Sequence, residues 1–255
     1  MKTITLGKEK IYEGNLILVN AAHPILHESH PALIPADKDC PDVLLRRDAA
    51  NILQVVLKNI SAGDRIVPVS GYRSAEEQRK IYDDSLKENG ADFTRKFVAL
   101  PNHSEHQTGL AIDLGLKSHH IDFICPDFPY DGICQVFRET AANCGFIQRY
   151  TKDKEAITGI SHEPWHFRYV GYPHSKIMVE HNLSLEEYIE FIKAYKDDHP
   201  LVCGKEQRNC IEVYYVPAID NRTEITLPEN SVYQISGNNA DGFVVTNWRK
   251  VDEQG

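Results

Sequence analysis

The sequence lacks any run approaching the ~18 consecutive apolar residues of a membrane span. Its opening segment, MKTITLGKEKIYEGNLILVN, has no signal-peptide apolar core. Both absences give the expectation of a cytoplasmic protein without a membrane anchor. Six cysteines are present (Cys40, Cys125, Cys134, Cys144, Cys203, Cys210), but no C-x-x-C pair, which argues against a cysteine zinc site. In a reducing compartment they read as buried thiols rather than a disulfide frame. Cys203 and Cys210 flank a polar loop and are spaced to bridge if oxidised. Positive charge is also short: Lys plus Arg is 28 against 37 Asp plus Glu, a net −9. That argues against a nucleic-acid or anionic-membrane surface, which needs clustered basic charge. It does not exclude an anionic small substrate, because one arginine or a metal makes a local positive potential. No internal repeat or low-complexity segment is visible.

What is present is an ordinary globular composition, 42% hydrophobic and 25% charged over 255 residues. This length suits one large domain, or one plus a small appendage, and buries a core without staples. The spacing of Leu45, Ala49, Ile52, Leu53, Val56, Leu57 and Ile60 predicts a helix over 42–60. Ser74 and Glu77 form a capping box that opens a helix over 75–89, with Gly90 as its stop. Ser184 and Glu187 open another over 185–196, and a fourth is expected over 131–144. Short apolar runs at 66–69, 110–114 and 166–170 read as strands, and 15–19 as a further one. Pro68 suits an edge or a bulge. Beyond residue 200, β-type runs alternate with Pro, Asn and Gly, which predicts a small antiparallel appendage without catalytic residue types at useful spacing. The class is therefore α+β, with 1–200 as the main domain and 201–255 as a β-rich subdomain.

Three places carry residues suited to chemistry. Asp113 interrupts GLAIDLGL, and an ionised carboxylate in such a run is costly unless paired or bound to a metal. His106 lies seven residues earlier, and Gly109 between them permits a sharp turn. A loop histidine and a strand aspartate can then converge; the alternative is an aspartate satisfied by backbone donors and a surface histidine. The second place is SHEPWHFRY, with Glu163 three residues before His166. A regular strand sends these two to opposite faces, so they share a site only if the chain bends near Pro164. The third is SGYRS, where Arg73 precedes a helix N-terminus that favours anions. Two histidines and one aspartate make a three-ligand set suited to zinc with one open position. Glu163 would be the general base and Arg73 a fixed cation, the parts of a metallohydrolase.

The segments SGYRSAEEQ, SEHQTGLAIDL and EPWHFRYVG, spread over roughly residues 60–172, resemble the signatures of the zinc D,D-carboxypeptidases and D,D-dipeptidases of vancomycin resistance, the VanY and VanXY group. The resemblance implies a hedgehog/D,D-peptidase-like fold with a small antiparallel sheet flanked by helices. It implies zinc held by His106, Asp113 and His166, with Glu163 as catalytic base and Arg73 stabilising developing negative charge. Ser104 and Gln78 match positions that contact substrate. The implied substrates are D-Ala-D-Ala and the terminal D-Ala of peptidoglycan pentapeptide precursors, and the lack of an anchor points to the soluble VanXY type. Two rivals remain: another cell-wall zinc peptidase, such as an L-Ala-D-Glu endolysin, and a non-catalytic zinc-binding module of hedgehog type. His103 and His162 lie near the expected ligands but fall off the ligand positions.

Overall fold

The computed structural model describes residues 1–27, 31–206 and 209–250. Its contacts divide the chain into two units, Val19–Ser184 and a discontinuous one made of Met1–Leu18 with the chain from Leu185 onward. In chain order the smaller unit begins with β1 (Lys2–Gly7). The larger holds β2 (Leu33–Asp37), β3 (Cys40–Arg46), α1 (Arg47–Asn59), β4 (Ile66–Ser70) and α2 (Ala75–Phe97). It continues with β5 (Ala111–Leu116), α3 (Gly132–Ala142), β6 (Phe146–Tyr150), α4 (Glu155–Thr158), β7 (Glu163–Tyr169) and α5 (His174–Glu180). The smaller unit resumes with α6 (Leu185–Ile192), β8 (Leu201–Glu206), β9 (Asn209–Pro217), β10 (Arg222–Leu227), β11 (Val232–Gly237) and β12 (Gly242–Lys250). Among the described residues no helix is long and apolar enough to cross a membrane.

The larger unit is built on an antiparallel sheet of order β4-β5-β7-β6. Helix α1 buries the apolar stripe Ala49, Ala50, Leu53, Val56 and Leu57. Its core includes edge-to-face rings: Phe137 lies 4.9 Å from Phe167, and Phe128 5.3 Å from Phe167. Pro68 lies on the edge strand β4, and the register shifts between it and Ser70, as a proline inside a strand demands. Helix α2 opens on the expected capping box: Glu77 N–H donates to Ser74 Oγ, and Ser74 N–H to Glu77 Oε2. The left-handed Gly90 breaks its first stretch, but helical residues resume after it, a continuation that the sequence reading omitted.

The expected helix over 42–60 begins only at Arg47. Residues Cys40–Arg46 pair with β2 instead, so cross-strand pairing overrides the helix expected from residue 42. Residues 15–19 form no strand. The division expected near residue 200 also differs from the observed one. Strand β1 pairs with β10 along its whole length, which ties the first residues to the smaller unit, a long-range pairing that composition does not announce. That unit adds a sheet of order β11-β12-β9-β8 over a core containing Ile11, Tyr214, Phe243 and Val245. All six cysteines are free; Cys134 is buried and the others are half-buried. Cys203 stands opposite Ile211 and Cys210 opposite Arg249, and neither is in a disulfide.

Candidate active site

The register of the central strands performs the first convergence. Asp113 on β5 and His166 on β7 are direct cross-strand partners. Their side chains meet with Asp113 Oδ1 2.9 Å from His166 Nδ1. His106 arrives by another route. Residues 105–108 form a 3-10 turn, and Gly109 at φ 68° reverses the chain into β5. A Cβ at 109 would sit 3.2 Å from the Arg46 backbone nitrogen in a left-handed conformation, so glycine is favoured there. His106 Nδ1 donates to the Gly71 carbonyl at 2.7 Å, since a carbonyl only accepts. That leaves the Nε2 lone pair of the neutral ring toward Asp113 Oδ2, at 3.3 Å. Donor atoms of His106, Asp113 and His166 all lie within 4.8 Å of one another, and all three residues are buried.

Glu163 joins them by the bend anticipated near Pro164. Gln148 faces Phe167 while Tyr150 faces Glu163, so two residues of β6 span four of β7. This bulge carries Glu163 to the His166 side, with Oε2 3.8 Å from His166 Nδ1. Arg138 holds the region in place: its guanidinium donates to the carbonyls of Pro164, Phe128 and Pro129. Arg73 lies on the other flank, with Nη2 3.9 Å from Asp113 Oδ2 and its backbone N–H donating to the His106 carbonyl. Its side-chain Nε is buried without a hydrogen-bond partner.

These groups line one cavity of about 420 Å³. Gln78 and Ser104 line it too, and both are buried. Gln78 Nε2 donates to the Ala99 carbonyl at 2.7 Å, while its Oε1 has no hydrogen-bond partner. His103 and His162 stay outside the cluster: His103 Nδ1 donates to the Asn20 carbonyl, and His162 Nε2 meets the Tyr130 hydroxyl at 2.6 Å.

Burial pushes the Glu163 carboxyl up to about 8, with the neighbouring Asp113 carboxylate adding to it. Burial and the Arg73 charge push the His106 imidazole down to about 4, so it is neutral at pH 7. Burial alone would lower His166, but the facing carboxylates of Asp113 and Glu105 outweigh it and raise the ring to about 9. Burial alone would raise Asp113, yet the two imidazoles hold it well below the usual carboxylate range.

The donor set fits a divalent metal. A carboxylate and two imidazoles, with donor atoms within 4.8 Å of one another, are a chemistry suited to zinc. The outward nitrogen of His106 is held by a carbonyl, an arrangement characteristic of ligating histidines. Sequence reasoning missed Glu105, Arg149, Arg168 and Tyr150 around His166. The Tyr150 ring lies 4.8 Å from the His166 ring, and Glu105 is completely buried between the two arginines. Arg168 carried a signal: like Asp113, it is a charge set inside an apolar strand.

Residues 42–172 match the family described as VanY: D-alanyl-D-alanine carboxypeptidase. The chain is 44% identical over 181 residues to the bifunctional D-Ala-D-Ala dipeptidase and D-Ala-D-Ala carboxypeptidase VanXYC of Enterococcus gallinarum, covering 70% of this chain and 95% of that protein. It is similar in structure to the vancomycin resistance D,D-dipeptidase VanXYg in complex with a D-Ala-D-Ala phosphinate analog. There the TM-score is 0.96 and the identity 66%, over 97% of this chain and 99% of that one. A mutant of the D,D-pentapeptidase VanY from a VanB-type resistance cassette, in complex with Zn(II), superposes with a TM-score of 0.58 at 32% identity, over 69% of this chain and 98% of that one. The chain belongs to the VanY family of D-alanyl-D-alanine carboxypeptidases.

Proposed function

We propose that the protein is a zinc-dependent D,D-dipeptidase and D,D-carboxypeptidase. It hydrolyses D-Ala-D-Ala and removes the terminal D-Ala of peptidoglycan pentapeptide precursors, and so confers vancomycin resistance. The observation that carries this is the meeting of His106, Asp113 and His166 donor atoms within 4.8 Å, in the cavity that Glu163 and Arg73 also line. Support also comes from the relatives that act on or hold D-Ala-D-Ala or its analog. The reaction and its residues are assigned to the larger unit, within 1–200. The expected compartment is the cytoplasm, where such precursors are made.

His106, Asp113 and His166 would hold the zinc. Bound there, the metal supplies Lewis acidity toward a scissile carbonyl and lowers the pKa of a water. Glu163, with its carboxyl near neutral pH, takes a proton from the attacking water and returns it to the leaving amine. Such a proton carrier needs both states accessible at working pH, which an ordinary exposed glutamate does not offer. Arg73, with its Nε buried and unpartnered, donates to the oxygen on which negative charge develops. Gln78 and Ser104 hold the substrate by hydrogen bonds, and the free Oε1 of Gln78 is an acceptor for a substrate N–H. Burial of these groups keeps competing water away and strengthens each contact.

The direct test is release of free D-Ala from the dipeptide and from the pentapeptide, with and without a chelator. Release from both substrates, abolished by chelation and restored by zinc, is expected. Robust hydrolysis by metal-stripped protein would remove the proposal, and cleavage confined to intact peptidoglycan would favour an endolysin.

A further inference from the structure

Glu105 makes a buried ion-pair cluster with Arg149 and Arg168, and all three side chains are at most 1% exposed. Buried ion pairs seldom add stability over apolar packing, so their presence asks for another reason. Both arginines use the same carboxylate oxygen. Arg149 Nε donates to Glu105 Oε1 at 2.9 Å, and Arg168 Nη1 lies 3.0 Å from it. The second oxygen, Oε2, is left without a hydrogen-bond partner, and so is His166 Nε2. These two atoms face each other at 3.5 Å. One is an acceptor and the other a ring nitrogen that donates when protonated. Only His166 Nδ1 points to Asp113 and Glu163.

We propose that Glu105 is a positioning residue for His166. Its Oε2 holds the proton on Nε2, which fixes the ring orientation and presents the Nδ1 lone pair to the metal. The two arginines fix the carboxylate plane so that Oε2, rather than Oε1, meets the imidazole. This rests on the reading of His106, Asp113 and His166 as zinc ligands. A carboxylate that served only to neutralise two arginines would have no need of an oxygen aimed at a third group.

Zinc affinity of the full chain, measured by chelator competition, separates the two roles. Glu105→Gln should weaken zinc about 10- to 100-fold, the range for removing a partner of a ligating histidine. Arg149→Met, which leaves Arg168 on Oε1, should lower the melting temperature of the metal-free protein but change zinc affinity less than about threefold. Equal zinc loss in both variants, or none in Glu105→Gln, overturns the inference. A second measurement needs no variant. In the zinc-loaded wild type with labelled histidine, the His166 Nε2–H resonance should lie at low field and exchange slowly with water. An ordinary imidazole position with free exchange overturns the inference even if the variants fail to fold. A wild-type chain that takes up no zinc removes the metal-site reading and this inference together, whereas uptake with a freely exchanging proton removes this inference alone.

Discussion

The Gly71 carbonyl accepts the Nδ1–H of His106 at 2.7 Å and so links the end of β4 to a turn 35 residues away. Gly71 can stand there only because it has no side chain: a Cβ would lie 2.2 Å from the Leu44 carbonyl oxygen. That oxygen is itself engaged, accepting the Tyr72 N–H at 2.6 Å. Gly71→Ala must therefore move backbone and with it the carbonyl that orients His106. Zinc affinity should fall by roughly tenfold or more, in the manner of losing an orienting partner. Chelator competition reads this, and an unchanged dissociation constant would detach Gly71 from the site.

Glu163 and the three proposed ligands should separate cleanly by metal content. Glu163→Ala should keep its zinc and lose turnover by about 10²–10⁴, the usual contribution of a positioned proton carrier. Metal analysis beside D-Ala release checks it. Loss of the metal in this variant would make Glu163 a ligand.

Asp113→Ala should lower zinc occupancy, since it removes one of three donors and takes away the carboxylate that both buried imidazoles face. Full occupancy by elemental analysis after dialysis would count against Asp113 as a ligand.

Arg73→Ala should depress kcat by about 10²–10³, the scale for one lost oxyanion donor, with a smaller change in KM. Steady-state kinetics on the dipeptide measures the split. A pure rise in KM would reassign Arg73 to binding of the ground state.

Zinc uptake should depend on pH with a definite sign. In the metal-free fold His166 titrates at about 9, so below that pH it carries a proton that the metal must displace. His106, at about 4, is already neutral across this window. Apparent zinc affinity should therefore fall about tenfold per unit as pH drops from 8 to 6, with proton release on binding. Calorimetry in buffers of different ionisation enthalpy detects it, and pH-independent affinity would contradict the assignment of His166.

The residues of the proposed site were legible because charge in an apolar run is costly and so stands out. Asp113 announced itself inside GLAIDLGL, and the motifs around His106 and His166 resembled a zinc peptidase family. The capped start of α2, the edge position of Pro68 and the β-type tail were legible as well, since caps and prolines act through local geometry. Other features depended on contacts between distant residues. Residues 42–46 are expected at the head of a helix yet lie in a strand because β2 pairs with that segment. The link of Met1–Leu18 to the second unit follows from β1 pairing with β10, more than 200 residues on.

By itself, the sequence determined which side chains are chemically capable: two imidazoles, a strand carboxylate, a glutamate before a proline and an arginine at a helix start. Only the tertiary structure decided that Asp113 and His166 are cross-strand partners and that a bulge turns Glu163 to their side. It also decided that Glu105 is buried between two arginines with one oxygen toward His166. Register, bulges and buried ion pairs are set by the whole sheet and its packing, so no local stretch of the chain encodes them alone.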